Sequence, residues 1–510
     1  VRTHPSGDRV RRAVVVVLDG LGIGAMPDAG TLRPGDRNAH TLVHLLDHCR
    51  PAHGGAEPEL LLPALGALGL GVLCPHPALA TGTALPVAVA RARLGYEGAD
   101  TYAGHQTMMG ADFSRVAVAR LAAHTGELVR ALEEAGHKAE PLDGGPVLLV
   151  DGDVLVHDNL EADPGVNWNV SARLDDLPFE RILSVARTVR AVAPVARVIA
   201  VGGHADGPLR SFVRQGEGGT TGLDTPASGF YRNGGLRVRH LGAPLDHTRQ
   251  LPELAARAGA AVTLVGKAAD ILTCGSAVRR PAVRTDEVMA HTLDAVRAAG
   301  RREGAASGGD DGPALVVANV QETDLAGHQQ DAARFGEVLR EADAGLGLLV
   351  RELDRPGDVL IVTADHGNDP LIGHAFHTRE YVPVLVLARG APTGGREAGR
   401  AQPARTEPSR TEPDRAETGR AETDRTEPAA TGTRRTETRN AASGAVLLPD
   451  AASLADVGAT AARFLGIGDG PADANPDADA NSNGDVTGGV PEDGPRAGPR
   501  GLAAGSPLPL

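Results

Sequence analysis

Five short runs of the chain are almost continuously apolar: Ala13–Leu18 (AVVVVL), Ala260–Val265 (AAVTLV), Ala314–Val320 (ALVVANV), Asp358–Thr363 (DVLIVT) and Val382–Ala388 (VPVLVLA). Their β-branched content and their polar or glycine borders read as strands. Unbroken apolarity, in place of alternation, predicts a parallel sheet covered on both faces. Between these runs the period changes. Within 331–353, Phe335, Val338, Leu339, Ala342, Leu346 and Leu349 recur at three- and four-residue steps, and Leu454, Val457 and the Phe464–Leu465 pair do the same. That is the spacing of helices with one buried face. Strands alternating with helices predict an α/β core with a mostly parallel sheet.

Between about 112 and 235 the texture differs. Shorter strand candidates (Pro146–Val150, Val154–His157, Arg197–Val201), a helix-like 180–192 and a Gly/Thr/Ser-rich stretch at 216–229 predict a smaller α+β cap domain inserted into the core. The core is then 13–111 plus 236–466; one continuous domain with long loops is the alternative. Three stretches fall outside any expected core: a flexible basic head (1–12), an insertion (400–444) and a tail (467–510). The insertion holds a pentapeptide repeat, RTEPS, RTEPD, RAETG, RAETD, RTEPA, starting at Arg405, Arg410, Arg415, Arg420 and Arg425. Apart from proline it carries no apolar side chain larger than alanine's, too little to offset ordering entropy. Insertion and tail are both expected to be disordered.

Composition narrows the class. A net charge of −14 argues against a phosphate-backbone binder, and one Trp, four Tyr and seven Phe in 510 residues argue against a stacking platform for single strands. No stretch approaches the ~20 apolar residues of a membrane span, and the run 13–18 is too short for a signal peptide's apolar region. Cys49, Cys74 and Cys274 form no CxxC, so neither a disulfide framework nor a zinc knuckle is expected. A soluble, cytoplasmic protein is expected, with no nucleic-acid, membrane or protein partner inferred. Only Lys138 and Lys267 are lysines among 51 basic residues. A lysine kept against that bias can mark a place for a compact ammonium.

The chemistry lies in the residues immediately after the strands. AVVVVL runs into Asp19-Gly20, ALVVANV into Gln321-Glu322-Thr323-Asp324 with His328 four residues on, and DVLIVT into Ala364-Asp365-His366. His377 precedes the run at 382–388. Open α/β sheets bind ligands beyond the carboxyl ends of their strands. Carboxylates and imidazoles delivered to one edge point to two divalent metals, zinc or manganese by donor type. Such a pair can clamp the attacking and leaving oxygens of a phosphoryl displacement. Gly20, Gly22 and Gly24 do not complete GxGxxG and are read as tight turns beside Asp19. Thr101, in the glycine-flanked 98–104, is a candidate hydroxyl nucleophile, although Asp-Thr is also a common helix cap.

DGLGIGAMPDA at 19–29, GADTYAGHQTMMG at 98–110, VGKAADI at 265–271, TADHGND at 363–369 and HTREYVPVLV at 377–386 together resemble the phosphopentomutase family of the alkaline phosphatase superfamily. The resemblance implies an alkaline-phosphatase-like core and a phosphothreonine enzyme with two manganese ions. Its reaction would interconvert (deoxy)ribose 1-phosphate and 5-phosphate, a small-molecule phosphosugar. Carried over, Asp324, His328 and His377 hold one metal. Asp19, Asp365 and His366 hold the other, bridged by Thr101, and Lys267 lies near the phosphate. A sugar bisphosphate is expected to prime the enzyme. The chain also departs from the family. Asp324 and His328 are one residue closer than usual, and Val201 stands where an arginine is usual. In the proposed cap, 157–163 replaces a Tyr-Thr-Ser-Ala-Asp-Ser segment. Arg214, with Arg210 as the other choice, is the expected compensating cation for substrate. A mutase for a different phosphosugar and a metal-dependent phosphatase or phosphodiesterase are the alternatives; a degenerate scaffold is disfavoured by the complete ligand set.

Overall fold

The structure is a computed structural model and describes residues 12–50, 59–113, 118–301, 313–390, 438–439, 445–467 and 505–509. Its strands, in chain order, are β1 (Arg12–Leu18), β2 (Val87–Ala92), β3 (Ala139–Pro141), β4 (Leu148–Val150), β5 (Val154–Asp158), β6 (Asn167–Arg173), β7 (Arg197–Gly203), β8 (Val213–Gln215) and β9 (Thr221–Leu223). They continue with β10 (Arg237–Gly242), β11 (Ala261–Gly266), β12 (Val278–Arg280), β13 (Ala314–Val320), β14 (Val359–Thr363), β15 (Val382–Ala388), β16 (Thr438–Arg439) and β17 (Val446–Leu447).

Nine strands form one sheet in the order β12-β11-β13-β1-β14-β15-β2-β17-β16. The first five run parallel, and β15 runs antiparallel to both β14 and β2. Every residue of β1, β13 and β14 is buried, as continuous apolarity requires when helices cover a sheet on both sides. Helix Thr285–Arg301 packs on β11 and β13, and helix Ala455–Phe464 packs on β1 and β14. The polar residue of β1 is Arg12, itself only 2 % exposed. It forks onto Asp358 through Nε–Oδ1 at 2.9 Å and Nη2–Oδ2 at 2.5 Å. Arg12 therefore belongs to the sheet; residues 1–11 of the expected head lie outside the described residues.

A second sheet, ordered β10-β7-β6-β5-β4-β3, stands between β2 and β11 in sequence. Trp168, Val170, Ile182 and Val185 are fully buried in its own apolar cluster. The helix expected at 180–192 is Phe179–Val192. The sheet runs on to Gly242, past the expected boundary at 235, because β10 pairs along β7. The fold is thus α/β, with a large mostly parallel sheet and a smaller α+β unit inserted into it.

Both stretches expected to be disordered contain a few described residues. Thr438–Arg439, inside 400–444, pairs with Val446–Leu447 at the end of the large sheet; the pentapeptide repeats lie outside the described residues. Residues 505–509 of the tail lie on helix Ala455–Phe464. Leu508 is 4 % exposed, its N–H donates to Thr460 Oγ1 at 2.9 Å, and the Ser506 N–H donates to Asp456 Oδ1 at 2.8 Å. The tail's composition is polar on average, yet this one leucine provides apolar surface worth burying. No helix among the described residues is long and apolar enough to cross a membrane.

His157 in β5 makes one feature of the second sheet testable. It is fully buried, its Nε2 lies 3.0 Å from Ser171 Oγ, and burial pushes its pKa down to about 4. The folded protein therefore holds it neutral while the unfolded chain protonates it near 6.5. Stability from this residue is full above pH 6.5 and is lost as pH falls toward 4, by up to about 1.4 kcal/mol per unit. Denaturant melts at pH 7 and pH 5 should show that loss, and His157→Gln should flatten it. A pH dependence unchanged in the variant would contradict the assignment.

Candidate metal centre

The carboxyl ends of β1, β13 and β14 meet at one edge of the large sheet. Asp19 follows β1, Asp324 and His328 sit on the helix Glu322–His328 after β13, and Asp365-His366 follow β14. A separation of four residues places Asp324 and His328 on one helix face, with Nε2 3.5 Å from Asp324 Oδ2. His377 lies upstream of β15, where the antiparallel direction returns it to the same edge, with Nε2 3.3 Å from Asp324 Oδ1. Its Nδ1 is 2.9 Å from the Ala99 carbonyl and its ring stacks on His366 at 3.8 Å. Nδ1 of His328 is 2.7 Å from the Ala375 carbonyl. Backbone carbonyls thus fix both rings and turn each Nε2 toward Asp324, the usual support for a ligating histidine.

Donor atoms of Asp324, His328 and His377 fall within 4.8 Å of one another, and so do those of Asp19, Asp324 and His366. The first set coincides with the one the family resemblance implied. The second substitutes Asp324 for Asp365, so Asp324 is common to both. Asp365 Oδ2 instead accepts the Thr101 hydroxyl at 2.7 Å, and its Oδ1 accepts the Gly20 N–H at 3.2 Å. The donor set fits a cation. Asp19 Oδ1 and His366 Nε2 are buried without any hydrogen-bond partner, and the Nε2 atoms of His328 and His377 face each other at 3.0 Å. Buried polar atoms seldom go unpaired.

Thr101 begins the helix Thr101–Met108 and is 5 % exposed. Lys267 Nζ donates to Thr101 Oγ1 at 3.1 Å and to Asp19 Oδ2 at 2.6 Å, and lies 3.5 Å from Asp324 Oδ2. One of two lysines in the chain thus bridges nucleophile candidate and ligand carboxylates. An ammonium presents three donors from a point, which a planar guanidinium could not do here. Gly104 lets this helix approach closely: a Cβ there would lie 2.7 Å from the Asp365 carbonyl oxygen. Gly22 likewise leaves room for the buried Glu380 carboxylate, which a Cβ would meet at 2.3 Å. Gly20 and Gly24 adopt positive φ, 76° and 111°, as the tight turns expected beside Asp19 do, and Gly22 is a packing position.

The electrostatics are those of a buried carboxylate cluster. Burial and the neighbouring Asp365 charge push Asp19 up to about 7. Burial opposes ionisation of Asp365 too, but His366, His105 and Lys267 hold it well below the usual carboxylate range. At His328 burial is outweighed by Asp324, which lifts the imidazole to about 9. Protons on Asp19 and His328, with the Lys267 ammonium, offset the buried acids here, a charge that a divalent cation could supply instead.

Two residues here were not singled out from the sequence. His105 is fully buried, with Nδ1 2.8 Å from the Thr101 carbonyl and 3.3 Å from Asp365 Oδ2. Asn319 donates to Asp19 Oδ2 at 3.0 Å and lies 2.9 Å from His105 Nε2. Their signals were a histidine four residues after Thr101 and an amide inside an apolar strand. Arg214 is not at the centre; it lies in β8, largely exposed, and pairs with Asp224 Oδ2 at 2.6 Å. Val201 is buried in β7. A cavity of about 510 Å³ adjoins Gly98, with Arg33, Arg120, Arg379, Asp163 and Glu217 in its wall.

Residues 251–413 match the Metalloenzyme superfamily. A phosphopentomutase of Symbiobacterium thermophilum is 30% identical over 418 residues, covering 76% of this chain and 90% of that protein. One from a Methylobacterium species is 31% identical over 425 residues, covering 76% and 94%. Among solved structures, the Leishmania mexicana phosphoglycerate mutase is 16% identical over 92% of this chain and 97% of that one, with a TM-score of 0.39.

Proposed function

We propose, on the premise that this chain belongs to the phosphopentomutase family and is accordingly a phosphosugar mutase, that it interconverts the 1- and 5-phosphates of ribose or deoxyribose through a phosphothreonine at Thr101. The observation that carries this reading is the Thr101 hydroxyl between Asp365 Oδ2 at 2.7 Å and Lys267 Nζ at 3.1 Å, beside both ligand sets. The family's divalent metal use is matched by those sets, and we assign Asp324, His328 and His377 to one ion and Asp19, His366 and the shared Asp324 to the other, with Asp365 joining through Thr101. Bound there, two ions would act as Lewis acids toward phosphoryl oxygens. We take manganese as the resident metal, on the family resemblance.

The chain's own residues supply the rest. Asp365 accepts the Thr101 hydroxyl and fixes the lone pair that attacks phosphorus, a role an unactivated hydroxyl needs. Lys267 brings a fixed positive charge to where phosphate oxygens must lie. In the forward turn the P–O bond to Thr101 breaks as one forms to the free sugar hydroxyl, whose proton passes to the departing Thr101 Oγ1; the return step reverses both transfers. The bisphosphate then reorients, and its other phosphate returns to Thr101. We place the sugar in the cavity beside Gly98, whose volume suits a small ligand. The second sheet acts as a cap that keeps water from the phosphothreonine. Loss of the bisphosphate leaves Thr101 unphosphorylated, so a sugar bisphosphate restores activity.

Incubation with ribose 1-phosphate and manganese, following ribose 5-phosphate against inorganic phosphate, tests the reading. Ribose 5-phosphate should dominate, with added ribose 1,5-bisphosphate shortening any lag. Stoichiometric release of free phosphate would instead establish a phosphatase.

A further inference from the structure

The residues just before Thr101 are gripped from the inserted sheet. Asp100 is the N-cap of the helix Thr101–Met108: its Oδ1 accepts the Ala103 N–H at 2.9 Å. Its Oδ2 is taken by the Arg197 guanidinium and by the Asn167 amide, the latter at 3.1 Å. Asn167 and Arg197 sit opposite each other in register on the parallel strands β6 and β7, and Arg197 Nε donates to Asn167 Oδ1 at 3.3 Å. All three are buried, Asp100 at 1 %, Asn167 at 0 % and Arg197 at 5 %. One residue earlier, the Ala99 N–H donates to Asp163 Oδ2 at 3.0 Å, while the Ala99 carbonyl accepts from His377. Asp163 in turn holds Arg33 of the large-sheet unit at 2.5 Å.

A helix cap needs none of this. Asparagine or serine caps as well as aspartate without a partner, and burying an arginine–carboxylate pair costs desolvation that often cancels its attraction. What the fork adds is a fixed direction. With one oxygen committed to the helix and the other to β6 and β7, the carboxylate cannot swing, and the first turn of the helix is tied to the inserted sheet. Thr101 is the first residue of that turn.

We propose that Arg197, with Asn167 beside it, is a positioning residue for the Thr101 hydroxyl, acting through Asp100, so that the seating of the inserted sheet sets the geometry of phosphoryl transfer. This rests on the phosphothreonine reading above. It makes the inserted sheet part of the nucleophile's support and not only a cover over it. Displacement of a reacting atom by about 1 Å costs on the order of 100-fold in rate, so loosening the fork acts on turnover more than on substrate affinity.

Two variants test it. Arg197→Ala alone would strand a buried carboxylate, so the first is the double Asp100→Asn/Arg197→Gln, which removes both charges and keeps a competent cap. The second is Arg197→Lys, which keeps the charge and loses the fork. For the double variant kcat should fall about 100-fold, with KM for ribose 5-phosphate within about threefold of wild type. Metal content should be unchanged, and phosphate on Thr101 after priming should fall with kcat. Arg197→Lys should recover part of the loss, to about tenfold below wild type. A metal-loaded double variant with kcat within twofold of wild type overturns the inference, as does a raised KM at unchanged kcat. Wild-type enzyme that turns over with no phosphate on Thr101 would instead defeat the functional reading.

Discussion

Thr101→Ala is expected to lower mutase turnover on the order of 10⁴-fold or more, the scale of losing a covalent nucleophile. Its hydroxyl is buried between Asp365 and Lys267, and no other side-chain hydroxyl contacts both among the described residues. Peptide mass spectrometry after priming with ribose 1,5-bisphosphate should find one phosphate on Thr101 in wild type and none in the variant. Thr101→Ser, which keeps the oxygen, should retain measurable turnover. An unmodified Thr101 in active enzyme, or an alanine variant of undiminished activity, would remove threonine from the reaction. A hydrolase using the same residue would show the turnover loss but would not hold its phosphate after priming.

The second large effect concerns Asp324. Because its carboxylate is common to both ligand sets, Asp324→Asn should weaken two ions at once, whereas His328→Ala should weaken one. Metal analysis after dialysis should give well under one ion per chain for the first variant and close to one for the second, against two for wild type. Turnover should fall by at least about 10³-fold for Asp324→Asn, several kcal/mol of charge stabilisation being lost with the ions. Asparagine preserves the volume, so melting behaviour of the metal-free proteins should be similar. Retention of two ions by Asp324→Asn would show that the shared carboxylate is not a ligand.

The legible part of this protein was the part where burial leaves no choice. Strands β1, β13, β14 and β15 were recognisable because both faces are covered and nearly every residue is apolar; each expected range agrees within one residue at either end. Their ends were legible for the same reason, since an acid directly after such a run has few structural excuses. His377 was harder, because it precedes its strand. Only the reversed direction of β15 explains why it joins residues that follow theirs.

What stayed hidden were polar faces turned inward. Strand β6, NWNVSAR, alternates plainly, but its polar face is buried. Asn167 serves Asp100, and Ser171 serves His157. Nothing in the local pattern distinguishes that from a solvated face. Strand β2, VAVARA, is alanine-rich and weak in β propensity; its pairing with β15 and β17 decides its state. Arg214, the expected compensating cation, is exposed and pairs with Asp224. Arg197, inside a run read only as a strand, carries the long-range contact. In the tail, composition averaged over 44 residues conceals one leucine that docks, Leu508.

The ends of the large sheet bear on how copies of this protein can associate. Among the described residues, its outermost strands, β12 and β16, are three and two residues long. A growing ribbon needs a longer row of unpaired backbone groups than that, and truncated border strands are a standard defence against edge-to-edge aggregation. The long, flat, apolar strands most capable of templating another chain lie in the interior, each with a neighbour on both sides. Among the described residues, the nine-stranded sheet therefore offers little border for extension from one molecule into the next, and the longer free edge is β10 of the second sheet, six residues and mostly exposed.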